Sequence, residues 1–583
     1  MASSSEKITA LRARMKARGV DGYIVPLADE FQGEFLPDCA QRLQFLTGFT
    51  GSGGAAIVLE DKACAFTDGR YMLQIAGQVE RSLYDIADFT KIPLGEWLAE
   101  NAGKGAVIGY DPKLHTPDQV GTMAEKAPEI TLKPLAGNLI DEIWGDRPAA
   151  PQGAVSLFPD DIAGRSAGEK LALIAAELKS VKADAALITM PDSVCWLLNV
   201  RGADVEQVPL VLCYALVHSD ARAAWFVDSA KVPAAVRGAL GDKVAIMPLE
   251  SIGEALKTLS GKTVLMDERR SAIWFKTALE AAGAKILNAR DPCAWPKACK
   301  TAAEIKSIKD VHIKDGVALA KFLRWLDSEA PKGNLTELDV AEKILACRAQ
   351  DPAFQGVSFS TIAGFGPHGA IIHYRADEAS NANIKPGNLL LVDSGGQYHY
   401  GTTDITRTIA IGAPSAEMRA HFTLVLRGHI ALARARFAKG TTGAELDKLA
   451  RGPLQAEGLD YAHGTGHGVG CYLGVHEEAA NISPRGKDAL EAGMLISNEP
   501  GYYKESAYGI RIENLILCVE SGEGLAFETV SLAPIDRALI ASDMLDKAER
   551  EWLNDYHARV YATLSPLLDS ETANWLEKQT CAI

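Results

Sequence analysis

The stretch LLLVDSGGQYHYGTTDITRT, residues 389–408, sets two carboxylates inside what otherwise reads as buried sheet. Leu389, Leu390, Leu391 and Val392 run straight into Asp393, and Ile405 follows Asp404 at once. Carboxylates at the ends of apolar strands are costly to ionise unless something positive meets them. A hairpin turning near Tyr398 and His399 would place Asp393 directly opposite Asp404. Opposed residues share a face with Cβ atoms roughly 5 Å apart. Two like charges so placed repel and raise one pKa, unless a cation lies between them. A pair of divalent ions, about 3.5–4 Å apart and bridged by carboxylates as in hydrolytic two-metal centres, would answer that charge.

Three other stretches carry similar chemistry. HGTGHGVG, 463–470, holds His463 and His467 among Gly464, Gly466, Gly468 and Gly470. Glycine at that density disfavours a helix, so the backbone approaches something closely and aims its imidazoles into a site. The apolar GMLIS run leads into NEPGYY and ends on Glu499, and GIRIENLILCV holds Glu513 among aliphatic residues. Asp393, Asp404, Glu499 and Glu513 bring four negative charges, which two divalent ions neutralise and one does not. Oxygen donors with a single imidazole suit manganese, with cobalt or zinc as alternatives. Histidine is concentrated here too: eight of the twelve lie between His368 and His476, which puts the chemistry in this part of the chain. His399 at the hairpin tip, and His421 and His429 on a helix, read as structural.

The elements that must hold these residues divide the chain at two proline-bearing breaks, DRPAAPQGAVSLFPDD at 146–161 and ARDPCAWPKACK at 289–300, both read as linkers. The expected domains are 1–150, 158–298 and 301–583. The first two look like copies of one α/β plan. VDGYIV recurs as ADAALI, FLTGFTG as WLLNVRG and FTD as FVD, in the same order and each after a helical stretch. The third opens with an amphipathic helix, in which Ile305, Ile308, Val311, Ile313, Val317, Leu319, Phe322 and Leu323 recur at three- and four-residue steps. Further helices are expected over 415–437, 443–458 and the C-terminal stretch.

A net charge of −15 without a basic cluster argues against nucleic acid or an anionic membrane as partner. No apolar run approaches a bilayer span. Ten scattered cysteines with no CxxC, and an N-terminus without an apolar signal region, point to reduced thiols in the cytoplasm. Cys293 and Cys299 lack the second pair that a zinc site needs.

As a set, IIHYRA (371–376), VDSGGQYHYGTTDITRT (392–408), YAHGTGHGVG (461–470), GVHE (474–477), EPGYY (499–503) and GIRIEN (509–514) resemble the pita-bread metallopeptidases, specifically the three-domain cytosolic aminopeptidase P (Xaa-Pro aminopeptidase) type. TDGRY (67–71), WLLNVRG (196–202) and DRP (146–148) resemble the N-terminal domains of the same family. The resemblance implies two creatinase-like α/β domains followed by a pita-bread catalytic domain. It implies five metal ligands, Asp393, Asp404, His467, Glu499 and Glu513, and substrate-facing His373, His463 and His476, with Arg511 bracing the site. The reaction implied is release of the N-terminal residue ahead of proline by a hydroxide shared between two divalent ions. Glu499 would move the proton and His476 would help the oxyanion. A homodimer acting on peptides with penultimate proline is also implied. Within the same fold, a prolidase limited to dipeptides, a methionine aminopeptidase and a non-enzymatic peptide-binding module are the alternatives.

Overall fold

The computed structural model describes residues 3–583. The chain forms two compact units: one runs to Asp160 and resumes over Arg165–Ala294, and the other comprises Asp161–Gly164 and Trp295–Ile583.

The first unit contains two six-stranded sheets. Gly22–Pro26, Ala55–Leu59, Ala63–Thr67, Asp85–Asp88, Val107–Tyr110 and Thr131–Pro134 make one; Ala185–Ile188, Tyr214–His218, Ala223–Phe226, Val244–Met247, Thr263–Met266 and Lys285–Asn288 make the other. Numbered along the chain, the strands of each sheet lie in the order 4-3-2-1-5-6. Their senses agree as well. The first strand is antiparallel to the second and parallel to the fifth in both sheets. Each sheet is preceded by a helix closed by a capping box, Ser3 with Glu6 and Ser166 with Glu169. The repeat seen in the sequence is therefore a repeat of topology, with VDGYIV and ADAALI as the two central strands.

Both breaks hold short regular elements: in the first, Ser156–Leu157 pairs as a strand with Val200–Arg201 and the helix Asp160–Ala163 begins. In the second, Ala294–Ala298 is helical despite Pro296. In the first turn of a helix the proline gives up no intrahelical hydrogen bond, so it can be accommodated there.

The second unit begins with the long helix Ala302–Glu329, capped by Thr301 and Glu304. Ile308, Val311, Leu319, Phe322 and Leu323 form its buried stripe, while Ile305, Ile313 and Val317 are half-buried. Beside it lie the three-stranded sheet Ile362–Phe365, Asn388–Ser394 and Ile405–Ile411 and a six-stranded sheet that includes Gly466–Gly468, Glu477–Ile482, Leu495–Asn498 and Asn514–Ser521. The helices Ala416–Ala433 and Gly443–Gln455 are shorter than their sequence pattern suggested, and Arg436–Phe437 is a strand instead.

Gly428 lets these two helices approach closely. A Cβ there would penetrate the carbonyl oxygen of Ala450, a backbone atom that cannot swing away. Gly428→Ala should therefore cost about 1–3 kcal/mol, read as a lower denaturation midpoint for the transition of the second unit; an unchanged midpoint would contradict this packing.

Candidate metal centre

The aspartate hairpin forms, but its register differs from expectation. Asp393 pairs with Thr406, not Asp404. The turn falls one residue later, since Tyr398 pairs with Gly401 and leaves His399 and Tyr400 as the connection. The reason is Tyr398, which is fully buried with its hydroxyl donating to Asp315 at 2.9 Å; the exposed turn falls to His399 instead. The slip moves each pairing by two residues, so it preserves the facing. Asp404 stays on the face of Asp393, as its diagonal neighbour.

The two glutamates arrive on adjacent antiparallel strands. Asn498 and Asn514 form the last rung of the Leu495–Asn498 ladder with Asn514–Ser521. Glu499 and Glu513 stand one step beyond it, where the strands part. The Glu499 N–H turns to the Thr465 carbonyl and the Glu513 N–H to that of Thr406.

His467 joins the four acids. Its Nε2 lies 3.5 Å from Asp404 Oδ2 and 3.4 Å from Glu499 Oε1. Its Nδ1 faces the Gly468 carbonyl at 3.0 Å. A carbonyl only accepts, so the ring proton sits on Nδ1 and Nε2 carries the lone pair. Asp404, His467 and Glu513 each present a donor atom within 4.8 Å of the others'. Asp393 and Glu499 flank this trio: Asp393 acts electrostatically on both Asp404 and Glu513, and Glu499 is held by the Ser497 hydroxyl at 3.0 Å.

Arg511, 1% exposed, braces the acidic wall. It donates from Nη2 to Asp393 Oδ2 at 2.6 Å, from Nη1 to the Tyr503 oxygen at 2.7 Å, and from Nε to Thr406 Oγ1 at 3.1 Å. Because Tyr503 accepts from the guanidinium, its own O–H donates to His463 Nε2, 2.8 Å away. His463 Nδ1 then lies 3.8 Å from Glu499 Oε2. The His476 ring is exposed and stands edge-on to that of His467, 4.3 Å between centroids. His373 is half-buried on the segment whose Ile372 carbonyl receives Arg511 Nη2 at 3.4 Å.

Hydroxyl residues complete the shell and escaped the sequence reading. Thr406 donates to Glu513 Oε2 at 2.7 Å, and Ser497 receives the His467 N–H at 2.9 Å. Thr406 and Tyr503 sit inside the quoted motifs, but only the strand pairings reveal what they touch.

The electrostatics call for cations. Burial, then Asp393 and Glu499, push the Asp404 carboxyl well above its ordinary range. Burial, then the other three acids, do the same to Glu513. Burial raises Glu499 to about 7, although Arg511 opposes the shift. Asp393 Oδ1 is buried without a hydrogen-bond partner. Carboxylates that resist ionisation, an orphaned oxygen and an imidazole lone pair are the donor set a divalent ion completes.

Comparison with known proteins agrees with this chemistry. The family described as Metallopeptidase family M24 matches residues 306–520, and its C-terminal region matches 523–583. Creatinase/prolidase N-terminal domains match 7–143 and 146–304. A probable Xaa-Pro aminopeptidase P from Coccidioides posadasii is 40% identical over 99% of this chain and 93% of its own length. The crystal structure of the X-prolyl aminopeptidase from Caenorhabditis elegans, a cytosolic enzyme with a di-nuclear active site, superposes with a TM-score of 0.95 at 32% identity and covers 100% of both chains. The dipeptidase PepE from Mycobacterium ulcerans reaches a TM-score of 0.52 at 25% identity, over 64% of this chain and 97% of its own. The chain belongs to metallopeptidase family M24, with two creatinase-like N-terminal domains ahead of a pita-bread domain.

The raised carboxyls make the metal-free protein pH-sensitive. Groups whose folded pKa exceeds the unfolded value bind more protons in the folded state, so their contribution is full at low pH and is lost as pH rises. For Glu499 that loss runs from about 4.5 to about 7. Chelator-treated protein should therefore melt progressively lower across this window, and added Mn2+ should abolish the slope by favouring the ionised acids. A metal-free melting temperature that climbs across the window would contradict the electrostatics.

Proposed function

We propose that this chain is a dinuclear metal-dependent aminopeptidase that releases the N-terminal residue from peptides with proline in second position. The reading is carried by one observation: four acids and the Nε2 lone pair of His467 converge where Asp393 Oδ1 has no protein partner. Asp393, Asp404, His467, Glu499 and Glu513 would hold the ions. Two divalent ions there would polarise the scissile carbonyl and lower the pKa of an attacking water.

The remaining work falls to the side chains. Glu499, raised to about 7 without ions, accepts a proton on Oε2 and faces His463 Nδ1 at 3.8 Å. It can pass that proton toward the departing proline nitrogen. That nitrogen belongs to a tertiary amide with no N–H, so the site must bind its substrate without using that donor. His463, His373 and His476 supply the remaining polar contacts around the scissile bond, and the exposed ring of His476 is accessible to substrate. The Arg511 guanidinium pairs with Asp393 and fixes the orientation of its carboxylate.

The match over the whole chain to an X-prolyl aminopeptidase supports this reading over that of a dipeptidase, for which the likeness covers 64% of the chain. A non-enzymatic module is disfavoured because all five donor residues are present. We read three domains, 1–150, 158–298 and 301–583, supported by the two repeated sheets and the separate family matches. Manganese as the ion, a cytoplasmic location and a homodimer complete the proposal. The cytosolic relative supports the second, and no helix among the described residues is long and apolar enough to cross a membrane.

Purified protein with Mn2+ should release arginine from a peptide beginning Arg-Pro-Pro, monitored by mass spectrometry. Activity confined to dipeptides would identify a prolidase instead. Asp404→Ala should lose at least one ion per chain by elemental analysis, whereas retention of both ions would refute the ligand assignment.

A further inference from the structure

His429 sits in the C-terminal half of the helix Ala416–Ala433, 0% exposed, behind the sheet that carries the two glutamates. Opposed residues of an antiparallel pair point to one face and their successors to the other. Asn498 and Asn514, the last rung, therefore point toward this helix, and Glu499 and Glu513 toward the acidic site. The histidine bonds to both halves of that rung. Its Nδ1 faces the Asn498 carbonyl at 3.1 Å and its Nε2 faces the Asn514 side-chain amide at 3.1 Å. The Asn498 amide returns a bond to the His429 carbonyl at 2.9 Å.

The Asn498 and Asn514 contacts assign the ring proton. The Asn498 carbonyl can only accept, so Nδ1 carries the hydrogen. Arg407 can only donate, and it does so to Asn514 Oδ1 at 2.9 Å, so the NH2 of that amide is what faces His429 Nε2. Arg407 also donates to the Glu513 carbonyl at 2.6 Å. Burial holds the imidazole neutral, with a pKa near 3, which its accepting nitrogen requires.

We propose that His429 is a positioning residue of the metal centre, clasping the last rung so that Glu499 and Glu513 are held at a fixed separation before any ion binds. This rests on the reading that those two glutamates are metal ligands. The clasp works against a definite force. As the acids ionise to take up an ion they repel one another, and just past this rung the two strands lose their mutual hydrogen bonds. A support behind the sheet resists the splaying that repulsion would cause. Partners behind metal ligands typically influence affinity by about 10–100-fold.

The test uses chelator-stripped full-length protein titrated with Mn2+ by calorimetry, with electron paramagnetic resonance at equal loading. Wild type should bind two ions as a spin-coupled pair. His429→Leu should weaken at least one ion by about 10–100-fold and raise the isolated-ion signal at the expense of the coupled one. His429→Gln, which keeps an amide donor and a carbonyl acceptor, should recover part of the affinity. Ile430→Ala, a cavity in the same helix at a residue that is also 0% exposed, should lower the melting temperature and leave both ions in place. The clasp is refuted if the two His429 variants bind like wild type, if neither folds, or if Ile430→Ala loses affinity equally. Failure of the wild type itself to bind two ions would instead overturn the ligand assignment on which the clasp rests.

Discussion

Four carboxylates cannot remain ionised together in a buried site without compensating charge. Much of the second unit is arranged around that constraint. Arg511 offsets one acid, and in doing so it ties Asp393 and its ladder partner Thr406, which donates to Glu513, to Tyr503 beside His463. The rest of the negative charge has no protein counterion among these contacts. Burial makes that deficit expensive, so the same features that would destabilise a metal-free protein give the site its affinity for cations. The energetic cost of the acids and their chemical use share one origin.

The geometry follows from how antiparallel strands end. Each acid stands where a ladder stops or bends: Asp393 near the end of its strand, Asp404 just before the next begins, and Glu499 and Glu513 past a last rung. A ladder aligns its residues in rows, and leaving the ladder frees the next side chain to turn into a cavity. Glycines allow the close approaches this requires. At Gly466 a Cβ would strike the carbonyl of Ser497, and at Gly468 that of Glu477, which explains the glycine density around His467.

The two sheets of the first unit show how a chain of this length reuses one solution. The strand order and senses are the same in both sheets, and what repeats is a capped helix leading into a buried central strand flanked by an antiparallel and a parallel neighbour. That pattern was readable from the recurrence of VDGYIV as ADAALI, FLTGFTG as WLLNVRG and FTD as FVD, each after a helical stretch. The helix at Ala294–Ala298 was not, because a proline in a first turn looks the same in sequence as a proline in a linker.

Residue type and local pattern already determined a good deal here: the long amphipathic helix after Thr301, two aspartates on one face of a hairpin, the two glutamates ending apolar strands, and a charge total matched by two divalent ions. These are legible because burial and charge are properties of the residues themselves. The folded structure decided the register, shifting the hairpin by a residue to bury Tyr398. It also decided the tautomer of His467, through the carbonyl its Nδ1 meets, and it turned His429, by pattern an ordinary core histidine, into the link between two strands. Register and second-layer contacts depend on which atoms meet across tens of intervening residues, and the tautomer depends on the backbone path at Gly468; residue type alone carries neither.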